Sequence, residues 1–180
     1  MKKLLVIAFA IVLSSCTQTK IAYIDVEDVM TEYKAMVALG EEMSGKQQEI
    51  AAGLQASQSA FQAKVQEYYK NQKTMSTSKK QKTEQALQQE GQMLQSQQQQ
   101  ASQMLEQENQ TKSEVLIKTI DSVVTSYSKT NGFAIVLGTQ GNGTVMYGDE
   151  ALNISSEIVN ILNADYSEEN ITEEIVEEEK

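Results

Sequence analysis

The sequence predicts an α+β protein: a small β body, closed by trimerisation, that carries one long helical-hairpin (coiled-coil) arm per subunit. Three observations predict it. Residues 21–26 (Ile-Ala-Tyr-Ile-Asp-Val) and 133–137 (Phe-Ala-Ile-Val-Leu) have the apolar, β-branched composition of short strands. Between them, from Val29 to Asn131, the chain has no Pro and consists mostly of strong helix formers. A helical excursion of that length, leaving a small sheet and returning to it, cannot bury itself in a compact core and is expected to project as an arm.

The elements follow in order. Residues 1–15 read as a lipoprotein signal peptide: Lys2 and Lys3 form a basic start, and Leu4 to Leu13 is an apolar run too short to span a bilayer, which takes ~20 residues. The run ends in Leu13-Ser14-Ser15-Cys16, which resembles the lipobox of bacterial lipoproteins. Cys16 is the only cysteine, so it has no disulfide partner, and it is expected to be lipidated at the head of a short linker, residues 16–20. Three acyl chains would hold the chain on a membrane, whereas one alone binds marginally. Residues 21–30 and 132–163 form the expected β trimerisation body. About three short strands per chain are too few to be stable alone, and association would close their edges. Ile21, Tyr23, Ile24, Phe133, Ile135 and Leu137 are the residues expected at that association.

Residues 31–131 are the arm. Tyr33, Gly40, Gln47, Leu54, Phe61, Tyr68 and Met75 recur every seven residues, and Met36, Met43, Ile50, Ser57, Lys64 and Asn71 follow three behind. The polar members make this a poor seam, so the arm is expected to pack well near the sheet and loosely outward. The tip is placed near 74–83, where Thr, Ser and Lys cluster. The Gln-rich stretch, 20 of the 22 Gln between 47 and 110, is read as a polar helix face. Asn131-Gly132 is a helix stop. Asn142-Gly143 is expected to turn a hairpin rather than hold phosphate, because Thr144 stands where a phosphate loop needs Lys. Ser155 is expected to cap a last amphipathic helix, and 164–180 to be an acidic disordered tail.

Composition excludes much chemistry. The chain has no His and no Arg, and all 15 basic residues are Lys. The commonest general base, the usual zinc ligand and bidentate phosphate clamps are therefore absent. No catalytic residue, metal or cofactor is expected, and a net charge of −10 disfavours nucleic acid. Against that acidity, Lys64, Lys70, Lys73, Lys79, Lys80 and Lys82 face only Glu67 within 64–82 and make a basic tip. Leu54, Phe61, Tyr68 and Met75 are candidate apolar contacts on the inner face of the arm. Met43, Met75, Met93 and Met104 offer soft contacts to varied partners or pack the hairpin itself.

The opening Lys20-Ile-Ala-Tyr-Ile-Asp-Val-Glu-Asp-Val-Met30 resembles that of the Skp/OmpH family of periplasmic outer-membrane-protein chaperones. The closing Val145-Met-Tyr-Gly-Asp-Glu-Ala-Leu-Asn-Ile-Ser155 and Ile158-Val-Asn-Ile-Leu162 are similar to the family's ending. The resemblance covers residues 20–163. It implies an ATP-independent holdase in the bacterial periplasm: a homotrimer with helical arms around a cavity that holds unfolded outer-membrane proteins. The best-known members are soluble and strongly basic, whereas this chain is acidic and has a lipobox-like segment. The alternative is a structural coiled-coil envelope lipoprotein that tethers or spaces layers.

Overall fold

The computed structural model describes residues 19–139, 145, 147–164 and 166. Cys16, the signal peptide, the Asn142-Gly143 turn and the acidic tail lie outside the described residues. The described residues divide into two compact units: one from the start of the described chain to Tyr33 together with Lys118–Tyr166, the other Lys34–Ile117.

The first unit is built on β1 (Lys20–Asp25), which pairs in parallel with β2 (Phe133–Thr139). Parallel neighbours cannot be joined by a tight turn, so a long connection is obligatory. Ile21 lies opposite Ile135, Ala22 opposite Val136, Tyr23 opposite Leu137 and Ile24 opposite Gly138. The pleat sends Ala22 and Ile24 inward, where both are buried. The carboxylate of Asp25 accepts from the N–H groups of Glu27 (3.0 Å) and Asp28 (3.3 Å) and starts α1 (Val26–Glu32). The last helix, α4 (Ser155–Ala164), turns Ile158, Val159 and Leu162 into the same core as Val29 of α1. Asn163 Nδ2 donates to the carbonyl of Glu32 at 3.0 Å and ties the ends of α1 and α4 together.

Three expectations change here. The helix expected to run on from Val29 stops at Tyr33, whose backbone is extended (φ −71°, ψ 112°). The Tyr33 ring is buried, and burying an aromatic ring outweighs one helical hydrogen bond. The sheet has two strands among the described residues, not three. Val145 and Tyr147 are not in a strand, and the place beside β1 is taken by Asn153-Ile154, with Ile154 N–H donating to Tyr23 O at 3.0 Å. Ser155 is the first residue of α4 rather than its cap. Its N–H and hydroxyl both donate to Asn153 Oδ1 (3.0 and 2.6 Å), and its oxygen accepts from the N–H of Asp25 at 2.7 Å.

The second unit is a helical hairpin of α2 (Lys34–Asn71) and the part of α3 (Thr77–Asn131) up to Ile117. The connection is a 3-10 turn, Gln72–Thr74, followed by Met75 and Ser76. The tip thus lies earlier than the expected 74–83. Residues 77–83 are helical, because Ser76 caps α3 through an N–H bond from Lys79 at 3.4 Å. In the first unit, α3 ends at Gly132, whose φ of +71° is the left-handed conformation that glycine tolerates.

Candidate functional surfaces

The two helices of the hairpin run antiparallel in one register. Glu42 meets Lys112, Lys46 meets Glu108, Lys64 meets Glu90 and Tyr68 meets Glu84, so the residue number falls on α3 as it rises on α2. The packed line keeps the heptad positions Met36, Met43, Ile50, Leu54, Phe61, Tyr68, Asn71 and Met75 and departs from the others in the hairpin. Near Lys34 it runs through Leu39, Met43, Lys46 and Ile50; farther on it runs through Leu54, Phe61, Val65, Tyr68 and Gln72. A straight helix drifts ~20° per heptad against a strict seven-residue repeat, and the line drifts with it. Gly40, Gln47, Ser57 and Lys64 therefore do not interrupt the core; they are exposed.

Of the four candidate contact residues, Leu54, Phe61 and Met75 are half-buried and Tyr68 is buried. A Cβ built on Gly91 would lie 3.4 Å from Cζ of Phe61, so α3 passes close over that ring. The Tyr68 hydroxyl donates to the carboxylate of Glu84, and that bond, ahead of burial, raises its pKa to about 12. These four side chains are chiefly the packing of the hairpin itself. The apolar groups that the hairpin exposes most are others: Tyr69 (62% exposed), Met93 (54%) and Met104 (70%), with Val37 and Ile117 less so. Met93 and Met104 are eleven residues apart, three helical turns, and so share one face. The seven-residue repeat puts Tyr68 on the packed line and leaves Tyr69 off it, as found.

Four charges at the Lys34 end form a ladder. Lys46 binds Glu42 at 2.9 Å and also Glu108; Lys112 binds Glu42 at 2.6 Å and Glu108 at 3.2 Å. Hydrogen bonds from Lys112 and Lys46 lower the Glu42 pKa, and that from Lys46 leads in lowering Glu108. Each ammonium lies between two carboxylates, which locks the register more than it adds stability.

At the tip, Lys70, Lys73, Lys79 and Lys82 are exposed and Lys80 is half-buried. No ion pair among the described residues involves these five, whereas Lys64 is bound to Glu90 at 2.6 Å. Under the turn is a hollow of 650 Å³ lined by Tyr68, Asn71, Met75, Lys79 and Leu87 among others. Among the described residues no cluster of His, Cys, Asp and Glu could hold a metal, and no helix is long and apolar enough to cross a membrane.

The six residues expected at the trimer contact do not share one face. Ile21 (41% exposed), Ile135 (49%) and Leu137 (42%) stand on the outward face of the sheet with half-buried Tyr23. Ile24 belongs to the interior at 8% exposure. The pleat requires this split, since Ile24 follows Tyr23 directly. Phe133 stacks on Tyr127 (centroids 6.2 Å apart, 20° between planes), and the Lys20 ammonium sits 4.5 Å over its ring. Burial leads in raising the pKa of Tyr23, followed by the charges of Glu150, Asp149 and Asp25.

No curated protein matches the sequence. The structure is similar to the crystal structure of a candidate outer membrane chaperone (OmpH-like) from Caulobacter crescentus. The TM-score is 0.76 at 13% identity, over 83% of this chain and 87% of that one. That likeness is one of fold: long helices with a small sheet. The family model for outer membrane protein (OmpH-like) matches residues 20–162, from the first residue of β1 to Leu162 of α4. With both ends of the fold and the hairpin between them inside that match, the chain belongs to the OmpH-like family.

Proposed function

We propose that this protein is an ATP-independent periplasmic holdase chaperone for unfolded outer-membrane proteins, working as a lipid-anchored homotrimer with its helical hairpins around the client. The observation that carries the reading is the surface of the hairpin. Its Gln-rich flanks leave Met93 and Met104 exposed, and Tyr69 stands exposed beside Lys70. Thioether and phenol side chains on a polar, flexible background make weak, adaptable apolar contacts, the kind an unfolded chain of variable sequence can use. Support for assembly comes from the sheet. Ile21, Ile135 and Leu137 leave an apolar face open on the two strands, which association would cover.

The test is dilution of a urea-unfolded outer-membrane β-barrel protein into buffer with and without this protein, followed by light scattering. A holdase suppresses scattering at a ratio of a few chains per client. A tether or spacer leaves scattering unchanged, and that result would replace the chaperone reading. Replacing Tyr69, Met93 and Met104 together with Ser should weaken suppression while leaving the hairpin folded.

A further inference from the structure

We propose that the strand-start end of the first unit is a membrane-docking face for an anionic phospholipid bilayer, on which Lys20 and Lys129 meet the lipid phosphates. The inference rests on lipidation of Cys16 and specifies which surface that lipid presents to the membrane. Three features meet at this end: the first residue of β1, just after Thr19, the first residue of β2 and the last turn of α3. Lys20 pairs with Phe133 in the sheet, and its ammonium donates to the carbonyl of Asn131 at 3.1 Å. Lys129, exposed in the last turn of α3, is two residues from Asn131.

Only four residue steps separate Cys16 from Lys20. A fully extended chain covers at most ~3.3–3.6 Å per residue, so Lys20 stays within ~14 Å of the acylated residue. A tether this short does not let the unit tumble freely above the headgroups.

The charge pattern of the unit fits one orientation. The strand-start end holds Lys20 and Lys129. The strand-finish end holds Asp25, Glu27, Asp28 and Glu32, all in or beside α1. Asp149 and Glu150 act on Tyr23, in the middle of β1. The nearest acid back along α3 from Asn131 is Asp121, ~15 Å away at 1.5 Å per residue. Over that distance salt screens it from the strand-start end, the Debye length being ~8 Å. An anionic surface therefore attracts one end of the unit and repels the other. Tyr127 and Phe133 stack at the attracted end, and aromatic rings are favoured at headgroup depth. Each lysine near such a surface weighs roughly five-fold in the binding equilibrium, so two give roughly twenty-five-fold preference for this orientation.

The experiment uses the full lipidated protein in phosphatidylcholine vesicles, with or without phosphatidylglycerol, containing a headgroup-spin-labelled lipid. Fluorophores are attached at Thr130→Cys or at Glu27→Cys; acylated Cys16 does not take the label. With phosphatidylglycerol, the reporter at 130 should be quenched strongly and the reporter at 27 weakly. The contrast should shrink without phosphatidylglycerol, and also in a Lys20→Gln, Lys129→Gln double variant whose melting temperature shows that the fold is kept. Equal quenching of the two reporters on an acylated chain overturns the docking face alone. A mass spectrum of the intact chain without acyl groups overturns both the lipidation reading and this proposal.

Discussion

If the chain assembles through its outward sheet face as proposed, replacing Ile135 with Asp should dissociate that assembly and leave the protomer folded. Ile135 is 49% exposed, opposite Ile21 at 41% and beside Leu137 at 42%, all on the outward sheet face. Fully burying a large aliphatic side chain is worth ~1.5–3 kcal/mol, so each of the three has roughly 1 kcal/mol left to gain on association. The substitution forfeits that gain at 135 and brings a carboxylate to a contact that would desolvate it, adding several kcal/mol. A total near 4 kcal/mol is about a thousandfold in dissociation constant. Within one protomer the same Asp stays half in water and costs about 1 kcal/mol of strand preference and side-chain contact. Ile24→Asp is the control. Ile24 is 8% exposed on the opposite face, so a charge there should unfold the protomer. Sedimentation velocity reads the mass, and circular dichroism melting reads the fold. Wild type should sediment as a trimer, Ile135→Asp as a folded monomer, and Ile24→Asp should be unfolded. A trimer that survives Ile135→Asp refutes the assignment of this face to assembly.

Three further outcomes are expected. Changing Lys70, Lys73, Lys79, Lys80 and Lys82 to Gln should leave the melting temperature nearly unchanged, because exposed charges contribute ~0–1 kcal/mol each. The change should slow client capture at low salt and remove most of its salt dependence, measured by stopped-flow fluorescence; equal rates at low salt would leave the basic tip without a role in capture. The Tyr68 hydroxyl, held by Glu84, stays protonated to about 12 in the folded hairpin, above the ordinary 10.0. Its contribution is complete below pH 10 and is lost as pH rises through 12, so Tyr68→Phe should melt with a shallower decline over that window than wild type; parallel declines would disprove the coupling. At Gly148, a Cβ would lie 2.8 Å from Cδ1 of Tyr23, so Gly148→Ala should lower stability by ~1–3 kcal/mol in urea melts, and an unchanged midpoint would show that the ring moves aside freely.

Both strand segments and the helical stretch between them could be read from local composition, because alternation of apolar residues and absence of Pro are properties of neighbours in sequence. The left-handed residue Gly132 was legible for the same reason. The break at Tyr33 was not, since nothing in Thr31-Glu32-Tyr33-Lys34 stops a helix; the ring's burial does. The seven-residue repeat finds the packed side at Met43, Ile50, Leu54, Phe61 and Tyr68, but it also assigns Gly40, Gln47, Ser57 and Lys64 to a core that they do not enter. Once the register between the helices is set, the pairing of Lys46 with Glu108 and of Lys112 with Glu42 follows. These depend on the rotation of one helix against another, which residue types alone do not encode.

The parallel pairing of β1 with β2 carries a kinetic consequence. Thr139 reaches the carbonyl of Ile24 across 115 residues, and Ser155 reaches Asp25 across 130. Contacts so distant in sequence close slowly, and the entropy of closing grows with the loop. The hairpin turn at Gln72–Thr74 shortens that search, because α2 and α3 can zip from the turn and bring the two strand segments toward each other. β1 is made first and pairs last: as the chain emerges it has no partner until the hairpin and β2 have followed. Until then its open apolar edge is the part of this protein that itself needs protection from aggregation.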